Sequence, residues 1–80
     1  MTETQIHVDA ELDARGLLWP MPIVKTAKAM KALEPGQVLK LVATDRGSAK
    51  DVPAWAEQTG NELLEQHVDG PELTFYLRKA

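Results

Sequence analysis

Eighty residues set a narrow scale: one small two-layer domain, near the lower end of what a single core stabilises unaided. Nine basic residues against twelve acidic give a net charge of −3, and the excess falls in residues 41–80, which hold seven acids and four bases, so non-specific nucleic-acid binding through neutralised phosphates is not expected beyond a local basic patch. The absence of cysteine excludes disulfides, thiolate metal sites and thiol chemistry.

Taken in order, residues 6–13 alternate, with Ile6, Val8, Ala10 and Leu12 on one side and His7, Asp9, Glu11 and Asp13 on the other, which predicts a half-buried strand. No basic, apolar, small-residue leader pattern precedes it and no apolar run is long enough to span a bilayer, so the expectation is a soluble, cytoplasmic chain. Gly16 and the prolines at 20 and 22 then turn the chain, and a helix is expected to begin between the prolines, because the first helical turn needs no N–H partner. Ile23, Ala27, Met30 and Leu33 recur as one apolar stripe, Lys25, Lys28 and Lys31 occupy another face, and the helix is expected to end near Glu34, before Pro35-Gly36.

A second, more apolar strand is expected from Gln37 to Ala43, parallel to the first through a right-handed crossover. Thr44 to Ser48 is rich in turn residues. Ser48 or Asp51 could cap a second helix, and Pro53 favours a start near Asp51, with Val52, Trp55, Ala56 and Thr59 inward and Gly60 as the stop. The remainder reads as a hairpin turning at Asp69-Gly70-Pro71, with Leu64 and Val68 on the first strand and Leu73, Phe75 and Leu77 alternating on the last. The fold class expected is an α+β two-layer sandwich of order βαβαββ: a four-stranded mixed sheet with two helices on one face, forming a single domain over 1–80.

The first helix start carries the chemistry. Unpaired N–H groups and the positive end of a helix would stabilise an anion at its lip, and a cysteine there would be a good sulfur nucleophile. This chain places Trp19 at that point. Gly16-Leu17-Leu18-Trp19-Pro20-Met21-Pro22 resembles the signature Gly-Leu-x-Cys-Pro-x-Pro of the TusA/SirA-like sulfur-carrier family. The resemblance continues through Glu34-Pro35-Gly36, Ala43-Thr44-Asp45, Asp51-Val52-Pro53, Gly60-Asn61-Glu62-Leu63 and Phe75 to Lys79, nearly the whole chain. It implies the same fold and a carrier that holds sulfur as a persulfide on the motif cysteine, without a cofactor, between protein donors and acceptors: a desulfurase, a rhodanese-like protein or a DsrE-like protein. Trp19 stands at the cysteine position, and Ala56 stands where some relatives have a second cysteine. Methionine cannot replace either, because a thioether forms no persulfide.

Three readings of Trp19 stay open at this level: an apolar side chain folded back on the protein, an exposed anchor for a partner, or an engineered or accidental change. Arg15, Gly16, Trp19, Pro20, Pro22, Lys25, Lys28, Asp45 and Arg46 form the expected partner surface, Asp45 and Arg46 because they close the second strand at the edge that also carries the Trp19 turn. No catalytic residue is assigned. His7 and His67 lack companion ligands for a metal site, and no nucleophilic triad, paired catalytic carboxylates or phosphate loop occurs. The functional expectation is a sulfur-relay family protein that docks sulfurtransferase or desulfurase partners but, lacking cysteine, cannot carry persulfide; the alternative is a non-catalytic interaction module anchored by Trp19. RNA binding would rest on fold analogy alone, and the acidic charge argues against it.

Overall fold

Strand β1 (Ala10–Ala14) keeps the expected parity: Ala10, Leu12 and Ala14 turn inward while Glu11 and Asp13 stay exposed. A computed structural model describes residues 6–80. The strand is shorter than expected at its start. Asp9 donates its N–H to the Val38 carbonyl and accepts the Val38 N–H on Oδ2, at 2.9 and 2.8 Å. A side chain thus replaces the next backbone partner, and the regular ladder begins only at Ala10.

Helix α1 (Met21–Lys31) starts between the prolines as expected but ends three residues before Glu34. Its most buried positions are Pro22, Thr26 and Met30, flanked by half-buried Ile23, Ala27, Ala29 and Leu33. The inward stripe is therefore centred on a polar residue that the hydrophobic pattern passes over. Thr26 is tolerated there because its hydroxyl donates to the Pro22 carbonyl at 2.7 Å, leaving no buried donor unmatched. Past the far end Lys79 Nζ donates to the Leu33 carbonyl at 2.7 Å and lies 3.5 Å from the Lys31 carbonyl, the last of the helix.

Strand β2 (Val38–Ala43) is central: it pairs parallel with β1 and antiparallel with β4 (Glu72–Arg78), which in turn pairs with β3 (Glu62–Asp69), giving the order β1-β2-β4-β3. Helix α2 (Ser48–Thr59) begins three residues before the expected Asp51 start. Pro53 consequently lies inside the helix, where its missing N–H leaves the Ala49 carbonyl without its i+4 donor. Gln66 Nε2 of β3 donates to that carbonyl instead, at 3.3 Å. Val52 and Ala56 are buried and Trp55 is half-buried, but Thr59, expected inward, is exposed and returns its hydroxyl to the Trp55 carbonyl at 2.8 Å. Gly60 ends the helix in the left-handed region, at φ +79°.

A bulge between Leu63 and Glu65 explains the pattern of β3. It places Leu63 opposite Leu77, then Gln66 opposite Phe75 and Val68 opposite Leu73, so the helix-facing set changes parity at Leu64, with Gln66 and Val68 exposed at the sheet edge. Both helices contribute to one core with Leu39, Leu41, Phe75 and Leu77, all fully buried. The architecture is the four-stranded mixed sheet with two helices on one face. The opposite face carries Glu11, Asp13, Lys40 and Glu72, with Val38 and Tyr76 buried on it, and the Tyr76 ring meets His67 edge-on at 6.0 Å.

Candidate functional site

Parallel β1 and β2 end side by side, which brings the Gly16–Trp19 turn against the Thr44–Asp45 loop. Two side chains of that loop hold the turn. Gly16 N–H donates to Thr44 Oγ1 at 2.9 Å, and Trp19 N–H donates to Asp45 Oδ2 at 3.0 Å. Gly16 sits at φ +82°, a conformation that L side chains rarely adopt, so glycine is the natural residue at the pivot. The other Asp45 oxygen accepts the Gly47 N–H at 3.3 Å, tying the same carboxylate to the entry of α2.

The lip of α1 differs from the anion-binding end expected above. Pro20 and Pro22 have no N–H. Met21 N–H is bonded to the Leu18 carbonyl at 2.9 Å, and Ile23 and Val24 N–H both to the Pro20 carbonyl at 3.1 Å. The prolines and these short-range bonds leave none of the N–H groups from Trp19 to Val24 free for a ligand.

What the lip does present is apolar surface. Leu18 is 71% exposed, Trp19 69%, Met21 40% and Val24 50%, so Trp19 does not fold back into the core. Lys25 and Lys28 are exposed on the same helix, and neither belongs to an ion pair among the described residues. Leu18, Met21, Val24 and Thr44 were not among the sequence candidates. The first three carry a signal that sequence can show, since Met21 and Val24 fall on the helix face opposite Thr26 and Met30; Thr44 carries none beyond its place in a turn.

Arg15 belongs elsewhere. Its guanidinium forms a fork with Asp13, Nε to Oδ1 at 2.9 Å and Nη2 to Oδ2 at 3.0 Å, and reaches Glu72 Oε2 at 3.1 Å. These bonds turn it toward the open sheet face rather than toward the helix lip. They also push the Arg15 pKa up, through its hydrogen bonds to Asp13 and then to Glu72, and hold the Asp13 carboxyl down at about 2, through the side-chain and backbone bonds that Arg15 donates. Arg46 is exposed in the β2–α2 loop and makes no ion pair among the described residues. The structure thus gathers Gly16, Trp19, Pro20 and Asp45 at one edge, buries Pro22 beneath it, sets Lys25 and Lys28 along the adjoining helix and separates Arg15 from them.

His7 meets Asp9 at 3.1 Å and His67 meets Glu65 at 2.7 Å. Among the described residues no group of three or more His, Cys, Asp or Glu could hold a metal ion, and no helix is long and apolar enough to cross a membrane.

Comparison with known proteins agrees with this geometry. The family model described as sulfurtransferase TusA matches residues 10–79. The chain is 49% identical over 72 residues to the sulfur carrier protein TusA of Allochromatium vinosum, covering 90% of this chain and 95% of that one. It is 51% identical over 72 residues to YrkI of Bacillus subtilis, covering 90% and 96%. Among solved structures, the crystal structure of a SirA-like protein from Desulfitobacterium hafniense superposes with a TM-score of 0.75 over 86% of this chain and 95% of that one; at 22% identity this likeness bears on the fold alone. Given a family match that runs from the start of β1 to the last residues of the chain, the protein belongs to the TusA family, with tryptophan where the family signature has cysteine.

Proposed function

We propose that this chain is a non-carrying member of the sulfur relay: a single cytoplasmic domain that docks a sulfur donor or acceptor protein through the Trp19 turn and holds no sulfur itself. The observation that supports this reading is the state of position 19. A large aromatic side chain is held out in solvent on a turn fixed by Thr44 and Asp45, in a chain with no thiol. A rigid exposed tryptophan loses little freedom on binding and is a favoured interface anchor. Whether the substitution is engineered or a natural loss, the consequence for chemistry is the same. Persulfide transfer needs a thiolate that attacks the outer sulfur of a donor persulfide, takes that sulfur and releases the donor thiolate; an indole offers no such nucleophile.

The test is a paired loading experiment. The unaltered protein and a Trp19→Cys variant are incubated with a cysteine desulfurase and cysteine, and intact masses are read for an added sulfur that a reductant removes. The expected result is loading of the variant alone, together with inhibition of that loading by excess unaltered protein. Loading without any inhibition would leave a carrier-like lip but remove docking by the tryptophan form.

An interaction module unrelated to sulfur, anchored by the same exposed Trp19, is the second reading. A folded Trp19→Cys variant that no donor loads, beside a protein partner lost on Trp19→Ala, would favour it. Tryptophan hot spots cost about 2 kcal/mol or more on truncation, so that loss is easily read.

A further inference from the structure

The outward face of α1 is built in two parts. At 3.6 residues per turn Met21, Val24, Lys25, Lys28 and Lys31 fall within an arc of roughly 120°, opposite the buried Pro22, Thr26 and Met30. The N-terminal end of this face is apolar and continues into exposed Leu18 and Trp19; the C-terminal end is basic.

Charge is distributed unevenly between the two layers. Among the described residues the ion pairs Arg15–Asp13, Arg15–Glu72 and Arg78–Glu62, and the His7–Asp9 and His67–Glu65 contacts, all join the strands or the segments flanking them. Residues 14–33 contain no carboxylate, so Lys25, Lys28 and Lys31 have no acidic neighbour on their own helix. None of the three has an ion pair among the described residues. Three uncompensated cations on one helix face stand out on a chain of net charge −3.

We propose that this face is one recognition surface for a protein partner that presents an apolar pocket bordered by carboxylates, with Trp19 filling the pocket and Lys25, Lys28 and Lys31 meeting the acidic border. The proposal rests on the docking reading above and names the partner's chemistry. Charge complementarity selects the sign of the partner. The apolar end selects a protein rather than a nucleic acid, because phosphate neutralisation has no use for Leu18, Met21 and Val24, and the whole chain would repel a polyanion.

The experiment measures the affinity of the full chain for a purified cysteine desulfurase and for a purified rhodanese-like sulfurtransferase, at ~50 and ~300 mM salt. Unaltered protein is compared with Trp19→Ala, Lys25→Glu/Lys28→Glu and Lys40→Gln, the last altering a cation of β2 on the opposite sheet face. With at least one partner, the double lysine variant is expected to bind about tenfold more weakly at low salt, most of that difference vanishing at high salt, while Lys40→Gln matches the unaltered protein. Both lysines are exposed and have no ion pair among the described residues, so folding should survive, and circular dichroism checks it.

If Trp19→Ala weakens binding but the lysine variant does not, and salt has no effect, this inference is overturned while docking stands. Binding to neither partner overturns both. A single-stranded RNA oligonucleotide that binds the same lysines overturns the choice of a protein, and self-association lost in Trp19→Ala would make the occupant a second copy instead.

Discussion

Asp45→Ala removes the acceptor of the Trp19 N–H, at 3.0 Å, and of the Gly47 N–H, at 3.3 Å, but not the Asp45 carbonyl, which still takes the Ser48 N–H at 2.9 Å. The effect should therefore be local to the turn. Hydrogen bonds to a charged acceptor contribute about 1.5–3 kcal/mol, and the low end applies because the freed Trp19 N–H sits at an exposed turn that water can reach. The longer bond adds no more than about 0.5 kcal/mol. The expected loss is about 1.5–2 kcal/mol for Asp45→Ala, with midpoint shifts of about 4–8 °C per kcal/mol in a chain of this size. Asp45→Asn keeps a neutral oxygen for the Trp19 N–H and should lose about half as much. Urea unfolding gives the global value, and hydrogen exchange at the Trp19 amide gives the local one, expected to accelerate in Asp45→Ala. If that exchange rate is unchanged and stability moves by less than about 0.3 kcal/mol, the carboxylate does not hold the turn, and the rigidity on which the docking reading depends is gone.

Two further outcomes follow from the same bonds. Pro53→Ala supplies the N–H that Ala49 lacks, so Gln66→Ala, destabilising by about 0.5–1 kcal/mol in the natural background, should become nearly neutral beside it; a double-mutant cycle from urea unfolding with no coupling would refute the substitution of Gln66 for the helix bond. The Asp13 carboxyl should titrate near 2 by NMR and return toward the ordinary carboxylate range in Arg15→Ala. Because the folded value lies below the unfolded one, the Asp13–Arg15 contribution to stability is fully present above the unfolded pKa of about 3.9 and is lost as pH falls through about 2.

Periodicity and turn chemistry made the element order readable, because Ala10, Leu12, Leu39, Leu41, Phe75 and Leu77 declare their inward faces in strict alternation. The departures occur where a side chain takes over a backbone role. Asp9 ends the β1 ladder early, Thr26 enters the core by bonding its own helix, and Gln66 lets Pro53 sit inside α2. None of these leaves a mark in a hydrophobic pattern. At the site, Gly16 and the prolines located the turn from sequence, whereas Thr44 and Arg15 depended on a contact across 28 positions and on one across 57. Proximity in sequence put Arg15 beside the lip; the direction of the side chain put it on the other face of the sheet.

Position 19 separates two properties that the family resemblance joins, the geometry of a sulfur-carrying lip and the chemistry of its occupant. The geometry stays whatever the side chain is, since it comes from Gly16, the prolines, Thr44 and Asp45. That geometry makes a demand on any thiol placed there. The backbone N–H of residue 19 already faces a carboxylate, and the next N–H groups along α1 are bonded to Leu18 and Pro20 carbonyls. A thiolate would draw its stabilisation from the helix dipole and from Lys25 and Lys28 across solvent, opposed by the nearby Asp45 charge. In Trp19→Cys the thiol should therefore titrate close to the free value of about 8.5, and adding Asp45→Asn should lower it. The pH dependence of alkylation measures both. A thiol pKa below about 6.5 in the single variant would mean that main-chain donors do reach the sulfur, and that the bonds closing this lip rearrange when its side chain is small.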